Sequence, residues 1–146
     1  LRLIPKLYLK ANKISYVNKP LYHYIIREGS VMTSSNIVKN LDIISGFEDL
    51  IGYYKKEKKY SLFKDELEYL VVDHLYIAAQ VRVIKMSKAK DIRKNIKPFL
   101  EYIENNNIDT KNNKYLTNLS KGKKLVLKLL NLHCYRLLKI ILKLKK

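Results

Sequence analysis

At 146 residues, with 47% hydrophobic and 29% charged side chains, the chain has the composition of a globular domain, which excludes disordered and collagen-like classes. Its 30 Lys and Arg against 13 Asp and Glu give a formal net charge of +17, so an anionic neighbour is expected: nucleic acid, anionic lipid head groups, or the phosphates of a nucleotide or lipid-linked substrate. Cys134 is the single cysteine, which excludes an intrachain disulfide, and no segment reaches the roughly 18 apolar residues of a membrane span.

In chain order, Leu3, Ile4, Leu7 and Ala11 fall at helical spacing and Asn12 suits a helix stop, so residues 1–12 predict a short buried helix. The pattern is already under way at Leu1, as expected of a piece of a longer protein. Ile14 to Val17 and Leu21 to Ile26 are rich in β-branched and aromatic residues, and Asn18, Lys19 and Pro20 interrupt them; two short strands or extended segments are expected. Beyond Gly29, Ser34, Ser35 and Asn36 offer an N-cap to a helix with apolar positions Ile37, Leu41, Ile44, Phe47, Ile51 and Tyr54. The stretch KKEKKY reads as a solvated turn. Ser61, Asp65 and Glu66 then open a second helix in the polarity its dipole prefers, with Phe63, Leu67, Leu70, Val71, His74, Ala78 and Val81 as its stripe. A third helical region spans about 90–104 with a break expected just before Pro98, and an Asn-rich loop follows over 105–113. Gly122 is expected to separate a short helical stretch from a long terminal helix.

Residues 1–35 carry a more specific pattern. Pro5, Lys6 and Ala11 are followed by Ile14, Tyr16 and Val17, then by Leu21, Tyr22, Tyr24, Arg27, Gly29 and Ser30. In order and spacing this resembles the end of the catalytic domain of bacterial family-2 glycosyltransferases, where P-K-x-x-x-x-A, I-x-Y-V and L-Y-x-Y-x-x-R-x-G-S follow an acidic pair. The resemblance covers about a quarter of the chain. It implies a GT-A fold, a nucleotide-binding α/β sandwich, for the parent enzyme, and transfer of a sugar from a nucleotide-diphosphate donor to a glycan or lipid-linked acceptor. The expected fold class is therefore mainly α: a helical accessory region preceded by a short helix and β segments that end a truncated GT-A domain. The division expected is 1–35 as that remnant, 36–118 as the helical accessory domain and 119–146 as a basic amphipathic terminal helix.

The resemblance places the metal-binding Asp-x-Asp motif upstream and the acidic pair holding the general base just before Leu1; no Asp-x-Asp occurs in the chain. The parent enzyme is expected to use a divalent metal, Mg or Mn, while the fragment has no catalytic residue or metal site and is inactive alone. Glu48 and Asp49 form an acidic pair on the wrong side of the tyrosine segment and read as exposed carboxylates of an amphipathic helix. Arg27 and Ser30, with Gly29 allowing close backbone approach, are by resemblance a diphosphate cradle, since a guanidinium fork and a nearby hydroxyl suit phosphate oxygens. A surface Arg beside an ordinary Gly-Ser turn is the other reading of the same residues. His23 is a further candidate for metal or phosphate binding, whereas His74 and His133 read as structural or interfacial.

From Thr110 onward no acidic residue occurs. Lys128, Arg136, Lys139, Lys143 and Lys146 fall near one side of a terminal helix, with Val126, Leu130, Leu137, Ile141 and Leu144 on the other. They define a candidate surface for an anionic membrane or a partner, with packing on the domain as the plainer alternative. These readings place the chain in the cytoplasm, peripheral to the inner face of the cell membrane. A helical nucleic-acid-binding or interaction module is the rival class.

Overall fold

The structure is a computed structural model that describes residues 2–23, 25 and 36–144, and every regular element among them is helical. Helix α1 (Ile4–Lys10) holds Pro5 in its first turn, where the missing N–H would have had no partner in any case. It contains no buried residue, so the expected short helix is present but not buried. Leu9 packs against the core, and polar contacts run along one side: Arg2 donates to the Ser45 hydroxyl at 2.7 Å, Lys6 pairs with Asp49 at 2.7 Å and Lys10 with Glu57 at 2.6 Å. Both partner series rise together in number, so α1 lies parallel to the helix that carries Ser45 and Asp49.

That helix, α2 (Ile37–Lys56), starts where the sequence places it. The Asn36 side chain accepts from the Val38 amide at 2.8 Å and satisfies one of the donors that a helix start leaves bare. Phe47, Leu50, Ile51 and Tyr54 bury its inner face. Three consecutive segments then form one continuous rod, with helical dihedrals at both junctions: α3 (Lys64–Leu70), a π-helical segment (Val71–Ala79) and α4 (Gln80–Met86). Because π turns are wider than α turns, the buried rows repeat every fourth residue: Leu67, Val71, Leu75, Ala79 and Val83 beside Glu68, Val72, Tyr76, Gln80 and Ile84. The expected stripe therefore drifts off the core after Val71; His74 is exposed, and Ala78 and Val81 are only half-buried.

Helix α5 (Ile92–Asn105) passes through Pro98 without interruption, which corrects the expected break. Proline withholds one hydrogen bond from the Lys94 carbonyl, but Ile92, Ile96, Phe99 and Tyr102 fix the turns before and after it in the core. A 3-10 turn (Lys114–Asn118), α6 (Lys121–Asn131) and α7 (Tyr135–Leu144) complete the chain order. Gly122 lies inside α6 rather than ahead of a long terminal helix, and the terminal region is two helices. Helix α6 packs on the π segment, and α7 on α4 and α5.

Three of the helices close in the same way. After α2, Lys58 donates to the Lys55 carbonyl and Lys59 to Tyr54; after α5, Asn107 donates to Glu104 and Ile108 to Ile103; after α6, His133 donates to Leu130 and Cys134 to Leu129. This paired bonding requires a left-handed residue that is usually glycine, and here Lys58, Asn107 and His133 take that place with φ of 55°, 50° and 55°. The last of them turns the chain sharply enough to lay α7 back on the core.

The expected β segments are not present among the described residues. Ile14 to Val17, Leu21 to His23 and Ile25 form no strand, while Tyr24 and Ile26 lie outside the described residues. A strand is stabilised by a neighbour that completes its hydrogen-bond ladder, and the all-helical body offers no such edge. The apolar side chains of this segment are left in solvent: Tyr16 is 87% exposed and Tyr22 81%, with Ile14, Val17, Leu21 and Ile25 also exposed.

Candidate functional site

The turn at His133 creates a cavity with a markedly polar lining. Cys134 follows in the cap, and Tyr135 opens α7 with its ring buried in the core. The Tyr135 hydroxyl lies 2.6 Å from His133 Nδ1, and the two rings meet edge to face at 5.8 Å. Burial pushes the Tyr135 phenol up, and the nearby Arg93 guanidinium partly opposes that. The chain entering α5 meets this turn from the other side, and between them lies a pocket of about 440 Å³ whose charged rim is Lys90, Arg93 and Arg136, with His133 and Leu137 beside them. No carboxylate lines it, and among the described residues Lys90, Arg93 and Arg136 have no ion-pair partner. Neither α5 nor α7 carries an acidic residue in its first turn. Three cations therefore rim the pocket beside apolar walls, a lining suited to an anion with an apolar attachment, with Asp91 at the N-cap of α5 as the neighbouring carboxylate in sequence.

Two further depressions differ in character. One, of about 460 Å³, lies under α1 between Pro5, Tyr8, Tyr54, Phe63 and Leu67 and is almost wholly apolar. Its polar margin is spent on structure: the Tyr54 hydroxyl donates to the Pro5 carbonyl at 2.8 Å, and Glu66 accepts a short hydrogen bond from the Tyr115 hydroxyl. The other is a shallow groove along α6 with Lys111, Lys124 and Lys128 on its rim.

The residues singled out in the sequence distribute unevenly over this surface. Arg27, Gly29 and Ser30 lie outside the described residues, and His23 is exposed in the irregular N-terminal segment. Of the five basic residues assigned to a terminal face, Lys146 lies outside the described residues, Arg136 rims the cationic pocket and Lys143 is exposed on α7, while Lys128 sits on α6 beside the shallow groove. Lys139 has turned inward. Its Nζ donates to the carbonyls of Ile84 and Lys85, both at 3.1 Å, and to that of Ser87, so it closes the C-terminal end of α4. Asp49 is likewise structural: the hydrogen bond from Lys6 holds its carboxyl below the usual range. Among the described residues no group of three His, Cys, Asp or Glu is placed to hold a metal ion, and no helix is long and apolar enough to cross a membrane.

Sequence reasoning missed Lys90 and Arg93 as partners of Arg136. The helix stop near His133 has no glycine to mark it, so the turn that brings these residues together left no signal in the sequence. No protein-family model, curated protein or solved structure matches the chain.

Proposed function

We propose that the chain is the C-terminal portion of a family-2 glycosyltransferase that moves a sugar from a nucleotide-diphosphate donor to a glycan or lipid-linked acceptor. The observation that carries the reading is the ordered run from Pro5 to Ser30, in which three short motifs keep the order and spacing of that family. A second observation supports it. Within this run Ile14, Tyr16, Val17, Leu21, Tyr22 and Ile25 present solvent-exposed apolar side chains. A segment of that kind fits the contact surface of a neighbouring nucleotide-binding domain.

In this reading Arg27 and Ser30 hold the donor diphosphate, and His23 stands close to them in sequence. The base and the Asp-x-Asp that would carry Mg or Mn are not in the chain; the described residues do not fit a divalent metal, so no catalytic step is assigned to them. The fragment alone is expected to turn over no sugar nucleotide.

The test is the sequence encoded directly upstream, followed by an assay of the longer product. An acidic pair immediately before Leu1 and an Asp-x-Asp farther upstream are the expected findings, and their absence overturns the proposal. In the longer protein, Arg27→Ala is expected to weaken binding of a nucleoside diphosphate by roughly tenfold or more, the scale of one charge-assisted hydrogen bond, with an unchanged unfolding midpoint. Unchanged nucleotide affinity removes Arg27 from the site.

A further inference from the structure

Helix α7 is apolar over more than half of its circumference, wider than the side it packs on the body, with Arg136, Lys139 and Lys143 on the remaining sector. Its inner side is fully used: Tyr135 and Leu138 are buried against α4 and α5, with Ile141 and Leu142 packed beside them. Its outer side holds Leu137, Ile140 and Leu144, exposed by 48%, 57% and 80%. At about 100° per residue these three fall within a sector of roughly 60° that points away from Leu138. A water-facing side of a packed helix is ordinarily polar, so an outward apolar stripe calls for a second apolar neighbour.

The charges around the stripe say what that neighbour is. Arg136 and Lys143 lie together along one flank of the stripe, while Lys139 is taken up by the end of α4. Leu137 belongs to the stripe and also lines the cationic pocket, so Lys90, Arg93 and Arg136 are continuous with the outward leucines. From Thr110 on the chain has no carboxylate to neutralise this surface, and Asp91, next to the pocket in sequence, does not line it. An apolar stripe along α7 and cations from α7 and the start of α5 beside it match the two layers of an anionic leaflet, acyl chains beneath phosphates. Nucleic acid offers the phosphates without the acyl layer.

We propose that α7 docks on the surface of an anionic phospholipid membrane, with Leu137, Ile140 and Leu144 entering the acyl boundary and Lys90, Arg93 and Arg136 holding lipid phosphates. This assignment rests on the geometry of α7 and is independent of the sugar-transfer reading. It removes Lys128 and Lys139 from the expected membrane face and adds Lys90, Arg93 and the outward apolar stripe.

The experiment is co-sedimentation of the full chain with vesicles of phosphatidylcholine alone or with one part in three phosphatidylglycerol. Partition into the anionic vesicles is expected to be at least about tenfold stronger and to fall with added salt. Leu137→Ser/Ile140→Ser/Leu144→Ser is expected to abolish it while keeping the native circular dichroism and unfolding midpoint, because all three side chains lie outside the core. Arg93→Gln/Arg136→Gln should weaken partition by more than about tenfold, since each basic residue near the surface contributes on the order of a fivefold factor. The charge-matched control Lys56→Gln/Lys59→Gln, at the C-terminal end of α2 and in the turn after it, should change it by less than about twofold on the same scale. Equal weakening by the control, or unchanged binding by the serine variant, overturns the proposal. So does a self-associating chain that the serine variant turns monomeric without any lipid partition, which would make a second copy the occupant. Saturation of the pocket by inorganic phosphate, with no vesicle binding, would make it a site for a soluble anion instead.

Discussion

The two ends of the described chain treat apolar residues in opposite ways. From Ile37 to Leu144 they close a core in which Phe47, Leu50, Leu75, Ile84, Ile96, Phe99, Leu130 and Leu138 are shut off from water. At Ile14, Tyr16, Val17, Leu21, Tyr22 and Ile25, residues of the same types stand in solvent. Hydrophobicity alone therefore does not fold a segment. The helical body succeeds because each helix satisfies its own backbone and needs only a neighbour for one face, whereas an extended segment needs a partner for its backbone as well. If that contrast is right, substitutions at the two ends should differ by several kcal/mol for chemically similar losses. Phe99→Ala is expected to destabilise by about 3–5 kcal/mol through transfer and cavity effects, and Tyr16→Ala by less than about 0.5 kcal/mol. Urea denaturation checks both, and a comparable loss for Tyr16 would mean that the N-terminal segment packs after all.

High pH attacks the same contrast from the body's side. Burial pushes the phenols of Tyr76 and Tyr102 up to about 12. Each folded ring thus stays neutral where the unfolded one, near pH 10, has ionised. The unfolded state then binds fewer protons, so stability is complete below pH 10 and declines from there to about pH 12. Each ring accounts for on the order of 2 kcal/mol of that loss. Tyr76→Phe and Tyr102→Phe should flatten the decline as followed by thermal unfolding, and an undiminished decline in both variants would remove these phenols as its cause.

Much of the body was legible in the sequence, and the failures have identifiable causes. Asn36 and the apolar spacing of α2 agree with the structure because nothing there departs from α-helical geometry. The stripe of the next helix was projected at a period of 3.6 and slipped at Val71, where the π turns begin; no single residue announces that change. Pro98 was read as a breaker, yet tertiary packing on both sides outweighs one lost hydrogen bond. The strands failed because a β pattern is only half of a statement, the other half being a partner. At the candidate site, Arg136 was legible from the charge run, while Lys90 and Arg93 depend on a turn that spacing does not reveal.

Lys139 sharpens the distinction between charge that faces solvent and charge that serves the body. Lys139→Met keeps the stem but leaves the carbonyls of Ile84, Lys85 and Ser87 without their donor. A loss of about 1.5–3 kcal/mol is expected, the range for hydrogen bonds to a charged group, against little change for Lys143→Met at the exposed end of α7. Equal effects on the unfolding midpoint would return Lys139 to the solvated face. A smaller gain is expected where the body is strained: Lys58 holds a left-handed φ of 55° with a full side chain, so Lys58→Gly should stabilise by up to about 1 kcal/mol. The same exchange at Lys19, in the irregular segment, should do nothing measurable.

Helix α1 lies between the two regimes, and its docking should respond to conditions that leave the body untouched. The hydrogen bond from Lys6 holds the Asp49 carboxyl below its ordinary 3.8, so this contact is complete above that value and is lost as pH falls through the lower folded one. Glu57 raises Lys10 above 10.5 by accepting its hydrogen bond, so the second contact is complete below 10.5 and is lost as pH climbs through the higher folded value. Between those limits α1 stays against α2, with the Lys6 ammonium 5.1 Å from the centre of the Tyr53 ring. Because these pairs face water, added salt should loosen them at any pH while the core, held by apolar burial, keeps its midpoint. Amide exchange separates the two outcomes. Faster exchange at Leu7 and Ala11, whose amides bond to the carbonyls of Leu3 and Leu7, with no change at Leu75, is the expected result in acid or high salt. Loss of protection at Leu75 under the same conditions would mean that α1 unfolds together with the helical body and belongs to its cooperative unit.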